Sequence, residues 1–118
     1  ERFECICVLR AVEHLAKCAQ LVDIADPQSF MMGHGAGAQQ LSNENLADFS
    51  ANANQALPVL VMCYHGNSSK CAAQFLLGQG FSAAYSIDGG FDAWRAAFPA
   101  QVALGDALAH RISKEITA

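Results

Sequence analysis

The chain has 118 residues, enough for one domain with a hydrophobic core that needs neither disulfides nor a metal for support. An apolar fraction of 53% against 15% charged excludes a disordered chain. The formal net charge is −4, and the seven basic residues are scattered from Arg2 to Lys114, which argues against a nucleic-acid partner because phosphate binding draws on a concentrated basic patch. The apolar run Pro58 to Met62 falls far short of the roughly 18 residues of a membrane span, so no membrane role is expected. Five cysteines, at positions 5, 7, 18, 63 and 71, lack the even spacing of a disulfide framework and fit a reducing, cytoplasmic setting.

Short apolar runs alternate with segments of helical period, the pattern of βαβ units around a parallel sheet, so the fold class is α/β. Phe3 to Val8 reads as a first strand. Leu9 to Ala19 reads as a helix with Leu9, Val12, Leu15, Ala16 and Ala19 on its inner face. A second strand, Leu21 to Ile24, leads to a short helix opened by Asp26 as N-cap and Pro27 at the first helical position, and closed by Gly33. Gly35 to Ala38 reads as a flexible connection, and Ser42, Asn43 and Glu44 offer caps for a helix through Leu46 and Phe49. Asn52 to Gln55 reads as a loop.

The uninterrupted run Val59 to Met62 is the pattern of a central strand covered on both faces. A helix from about Ser69 through Leu77 follows, then a strand from Ala83 to Ile87 and a helix from Gly90 to Phe98 stopped by Pro99. The domain is expected to span residues 1–100, with 101–118 as a tail. Leu108, Ile112 and Ile116 stand at four-residue spacing there, as in an amphipathic helix.

The chemistry concentrates in the segment joining the central strand to its helix, Cys63-Tyr64-His65-Gly66-Asn67-Ser68-Ser69. Ligands of open α/β sheets bind beyond the carboxyl ends of the strands, which is where Cys63 stands. Gly66 and Asn67 tolerate positive φ, so the loop can curl its backbone N–H groups inward, and the helix behind adds unpaired donors and the positive end of its dipole. Such a cradle suits an anion and is expected to lower the cysteine pKa from its free value of about 8.5. The plain alternative is a small apolar residue ending a core strand. A polar, turn-forming loop is more than that role needs.

These seven residues resemble the active-site loop of the single-domain rhodaneses, especially that of a bacterial thiosulfate sulfurtransferase. Leu21 to Phe30, followed by Gly33-His34, is similar to that family's amino-terminal signature, and Tyr85 to Trp94 to its carboxy-terminal one. Three motifs in the family's order over residues 3–100 are more specific than any single one. The resemblance implies a rhodanese-like fold, a small parallel β-sheet with helices on both faces. It makes Cys63 the catalytic residue, which takes sulfur from thiosulfate as a persulfide and passes it to cyanide or a cellular thiol such as a reduced thioredoxin. The amides of Tyr64, His65, Gly66, Asn67, Ser68 and Ser69 bind the substrate, and no cofactor is implied. Ala25 stands where the family usually has Arg, and Gly35-Ala36 where it has an apolar residue and Pro, departures that touch stability and loop order more than the nucleophile.

Other residues carry plainer readings. His65 is evenly balanced between an auxiliary role with an anionic substrate and none, and Lys70 is a weak candidate for drawing the anion in. Ser68 and Ser69 are expected to cap the helix, His34 to tie its loop, and Trp94 to anchor the last helix. Cys5 and Cys7, alternating with Ile6 and Val8, are expected to pack rather than to bind a metal, and Cys71 to pack within its helix rather than resolve a disulfide. No metal site is expected. A phosphatase or arsenate reductase would require Arg at the sixth position after the cysteine, where Ser69 stands. A persulfide carrier loaded by a partner enzyme is the other competing function, because the same cysteine would serve both.

Overall fold

The computed structural model describes residues 3–42, 45–64 and 68–103. In chain order the elements are β1 (Glu4–Ile6), α1 (Val8–Ala16), β2 (Gln20–Asp23), α2 (Pro27–Met32), β3 (His34–Gly35), β4 (Gln39–Gln40), α3 (Leu46–Asn52), β5 (Val59–Met62), α4 (Ser68–Gly78), β6 (Ala84–Ile87), α5 (Gly90–Ala97), a 3-10 turn (Pro99–Gln101) and β7 (Val102–Ala103). Among these residues, five strands form one parallel sheet in the order β1-β6-β5-β2-β4. β3 and β7 make a separate antiparallel pair. The expected helix over 106–116 lies outside the described residues, and the chain stays within the fold as far as Ala103.

The two-residue period of β5 divides the core. Leu60 and Met62 face a cluster with Phe30, Phe91 and Trp94. Val59 and Val61 face another with Phe49, Leu76 and Phe81. All four residues of β5 are fully buried, as its uninterrupted apolar run requires. At the start of α2 the Asp26 carboxylate accepts the Ser29 N–H with Pro27 next in line, the N-terminal pattern expected for that helix.

Several expectations fail for identifiable reasons. Helix α1 runs from Val8 to Ala16, and packing against the sheet turns a different face inward from the expected stripe. Ala11 is buried and Val8, Val12 and Leu15 pack beside it, while Leu9 is 64% exposed and Ala16 is also exposed. Cys5 and Cys7 are exposed rather than packed, because β1 is an edge strand of three residues and Cys7 already caps α1. Cys71 is also exposed, on the outer side of α4. The Gly35–Ala38 segment is no loose connection. Gly35 belongs to β3, where a Cβ would meet Leu21 at 3.1 Å and the Trp94 ring at 3.4 Å, so glycine lets the strand lie against the core. Helix α3 starts at Leu46 after Asn45, whose side chain accepts the Ser42 N–H at 2.7 Å instead of capping the helix, and it extends to Asn52, into the expected loop. Asn43 and Glu44 lie outside the described residues.

The turn into α5 depends on glycine. Gly89 has φ +77°, and a Cβ there would stand 2.5 Å from that of Ala93. Gly89→Ala is expected to cost about 1–3 kcal/mol in urea denaturation. Gly78→Ala, with nothing within 4 Å of the added methyl, is expected to be neutral or stabilising by up to about 1 kcal/mol.

Candidate active site

Cys63 follows the last residue of β5, at the carboxyl edge of the sheet. Backbone bonds hold it from the side of α5. The Phe91 N–H donates to the Cys63 carbonyl at 2.7 Å and the Asp92 N–H to the Tyr64 carbonyl at 3.1 Å. Two of the first-turn donors that a helix leaves unpaired are thereby used to fix the strand exit.

The sulfur is held from the side of α4. Cys63 is 7% exposed, and its Sγ receives the Ser69 N–H at 3.4 Å. The Cys63 thiol donates to Ser69 Oγ, also at 3.4 Å, and Ser69 Oγ shares a 2.7 Å hydrogen bond with Ser86 Oγ. Both serines are completely buried. A hydroxyl both donates and accepts, so the chain can reverse: with the thiol ionised, Ser86 donates to Ser69 and Ser69 to the sulfur. The arrangement therefore serves either protonation state of Cys63.

Ser69 is thus a partner of the Cys63 sulfur, and its hydroxyl turns inward instead of capping α4 as the sequence suggested. Ser68 opens α4 and is exposed, as is Tyr64. His65, Gly66 and Asn67 lie outside the described residues. Ser86 was not singled out from sequence. Its signal is the two-residue period of β6, which places it on the face of Ala84, toward α4, where a polar side chain must find a buried partner. His34 behaves as expected, with its Nδ1 2.7 Å from the Phe30 carbonyl and its ring stacked on Phe30. Trp94 is buried and donates its indole N–H to the Gln101 carbonyl at 2.9 Å.

Beside Tyr64 a pocket of about 280 Å³ opens between α2 and α5, lined by Asp23, Ala25, Ser29, Met32, Gly33, Tyr64, Phe91 and Arg95. Arg95 bonds Asp92 at 2.8 Å and lies 5.5 Å from the centre of the Tyr64 ring. Neither it nor Asp23 was taken from sequence as a site residue. Asp23 ends β2 with its carboxylate accepting the Ala25 N–H at 2.9 Å. Its burial outweighs that bond and the charge of His34, and holds the carboxyl above its ordinary range. Among the described residues no group of three or more His, Cys, Asp or Glu side chains is placed to hold a metal, and no helix is long and apolar enough to cross a membrane.

A parallel sheet that presents a buried, hydroxyl-supported cysteine at its carboxyl edge defines a class of protein, and the comparisons agree on which. The rhodanese-like domain model matches residues 10–97, and the chain belongs to that family. The fold resembles the Alr3790 protein from Anabaena, with a TM-score of 0.74 at 20% identity over 93% of this chain and 88% of that one. A rhodanese-like domain protein from Staphylococcus aureus gives 0.67 at 21% identity over 78% and 91%. Reduced CoADR-RHD from Bacillus anthracis gives 0.72 at 18% identity over 85% of this chain, which spans only 18% of that longer one. The expected rhodanese-like α/β fold is therefore shown, and family membership implies sulfurtransferase or persulfide-related chemistry.

Two outcomes test this geometry. Ser69→Ala removes one hydrogen bond to the ionised sulfur, worth about 1 kcal/mol, and is expected to slow iodoacetamide alkylation of Cys63 at neutral pH roughly fivefold. An unchanged rate would deny the hydroxyl that role. Asp23 gives a pH test. Its folded pKa lies above that of the unfolded chain, so its contribution to stability is full below the ordinary carboxyl pKa and is lost as pH rises through the folded value. Asp23→Asn is accordingly expected to gain on the wild type as pH rises from about 4 toward neutrality. A difference that stays constant or shrinks in urea titrations across that range would contradict it.

Proposed function

We propose that the chain is a thiosulfate sulfurtransferase acting through a persulfide on Cys63. The observation that carries this reading is the sulfur itself, buried at the end of the central strand with the Ser69 N–H on it and the Ser69–Ser86 hydroxyl pair behind it. In the first step the Cys63 thiolate attacks the outer sulfur of thiosulfate. The bond between the two thiosulfate sulfurs breaks, sulfite leaves, and Cys63 becomes a persulfide anion. In the second step an acceptor attacks the outer sulfur, and the cysteine thiolate leaves. Cyanide gives thiocyanate, and a thiol, such as that of a reduced thioredoxin, gives its own persulfide.

Splitting the transfer into two displacements is the benefit of a covalent intermediate. The loop amides from Tyr64 through Ser69 are the natural donors for the dianion and then for the persulfide, as backbone nests are for other anions. The five cysteines are free, which suits a reducing compartment such as the cytoplasm.

Phosphate transfer is disfavoured by a specific position. A bidentate guanidinium would be needed six residues after the cysteine, and the group there is a buried serine hydroxyl already bonded to Ser86. A second reading, a persulfide carrier loaded by a partner enzyme, is supported by the likeness to CoADR-RHD, in which the matching region is a small part of a longer chain.

Steady-state assays with thiosulfate and cyanide separate these readings. The account expects turnover by the purified chain, parallel lines in double-reciprocal plots, and loss of activity in Cys63→Ser, since a hydroxyl is a far weaker nucleophile. Activity in Cys63→Ser would sink the assignment, and a folded wild type inert toward thiosulfate would favour the carrier.

A further inference from the structure

The pocket beside Tyr64 has a chemistry that thiosulfate does not use up. Its wall is apolar where Met32, Tyr64 and Phe91 meet, and the Tyr64 and Phe91 rings lie 6.3 Å apart. Two carboxyl-bearing or cationic side chains line it, and only one reaches solvent. Asp23 is 1% exposed, while the Arg95 side chain is 51% exposed. Asp92 takes both of its contacts with Arg95 through a single oxygen, Oδ1, engaging Nε at 3.2 Å and an NH2 donor at 2.8 Å. The pair is therefore not the two-oxygen fork that matches a guanidinium most fully.

The backbone ties this pocket to Cys63. Tyr64 is the next residue after Cys63, and the helix that carries Phe91 and Arg95 is the one whose N–H groups hold the Cys63 and Tyr64 carbonyls. A volume of about 280 Å³ suits a small organic molecule rather than a large cofactor.

We propose that this pocket selects the sulfur acceptor, and that the acceptor is a small thiol bearing a carboxylate, its carbon body against Met32, Tyr64 and Phe91 and its acid group on Arg95. The inference rests on the persulfide reading and deepens it. In the step concerned, the acceptor thiolate attacks the outer sulfur of the Cys63 persulfide. The new sulfur–sulfur bond forms as the old one breaks, the Cys63 thiolate is released, and the acceptor leaves as its own persulfide. No oxidant enters. Arg95 is a specificity residue in this scheme, reading the acid while the sulfurs react.

The test measures unloading apart from loading. The protein is first charged with sulfur from thiosulfate, and loss of that sulfur is followed by mass spectrometry with 3-mercaptopropionate or with its uncharged methyl ester. The readout is the ratio of the two rates in each protein. Relative to the wild type, Arg95→Gln is expected to lower the ratio of acid to ester about tenfold, the weight of one hydrogen-bonded charge contact, with Arg95→Lys in between. Asp92→Asn is expected to raise the ratio, because it removes a negative charge beside the acid. Added salt should weaken the wild-type preference, since Arg95 is solvent-reached. A ratio unchanged in Arg95→Gln, or lowered by Asp92→Asn, would overturn the proposal. Failure of thiosulfate to load Cys63 would count against thiosulfate as donor alone. The cysteine would then be charged with inorganic polysulfide, and the same ratios would decide the acceptor question.

Discussion

The hydrogen bond from the Phe91 amide to the Cys63 carbonyl, 2.7 Å long, joins the two halves of the molecule on which everything else depends. On one side is β5, buried on both faces and able to hold Cys63 at a fixed height above the sheet. On the other is α5, whose first-turn donors would otherwise be unpaired. The bond satisfies the helix and locks the strand exit in one step. It also holds the strand exit against the helix that carries Phe91, whose ring lies 6.3 Å from that of Tyr64. The left-handed turn at Gly89 makes this approach possible, since any side chain there would collide with Ala93.

A second device works beneath the sulfur. Ser69 and Ser86 are buried hydroxyls that would be costly without partners, and each supplies the other. Because hydroxyls turn, the pair can face a thiol, a thiolate or a sulfur-bearing cysteine without moving the backbone. The proposed covalent transfer needs that adaptability, as the negative charge sits on Cys63 Sγ in the thiolate and on the outer sulfur in the persulfide. Asp23 shows the opposite condition. Its carboxyl is buried with a backbone N–H on it and is still held above its ordinary range, so it weakens the folded state as pH rises.

Much of this was legible in the chain. The unbroken Val59–Met62 run announced a central strand, and it placed Cys63 at the carboxyl edge of the sheet. Asp26 and Pro27 marked the start of α2 because capping is a local matter. What could not be read depended on three dimensions. The phase of α1 is set by packing, so Leu9 was placed inside and stands outside. Strands of two residues, β3, β4 and β7, are too short to leave a periodic signal and exist through their partners. Ser86 lies within a recognised signature, yet its role is visible only when β6 is set beside α4. Arg95 was one of seven scattered basic residues in the sequence, and its place at a pocket is visible only when α2 and α5 are set together.

The central claim is that Cys63 carries sulfur between donor and acceptor, and mass spectrometry of the chain incubated with thiosulfate alone tests it most directly. The account predicts a gain of one sulfur atom, located on the peptide containing Cys63 and removed by cyanide. An active preparation with no sulfur on Cys63, or with the added mass on Cys71 or another cysteine instead, would contradict it.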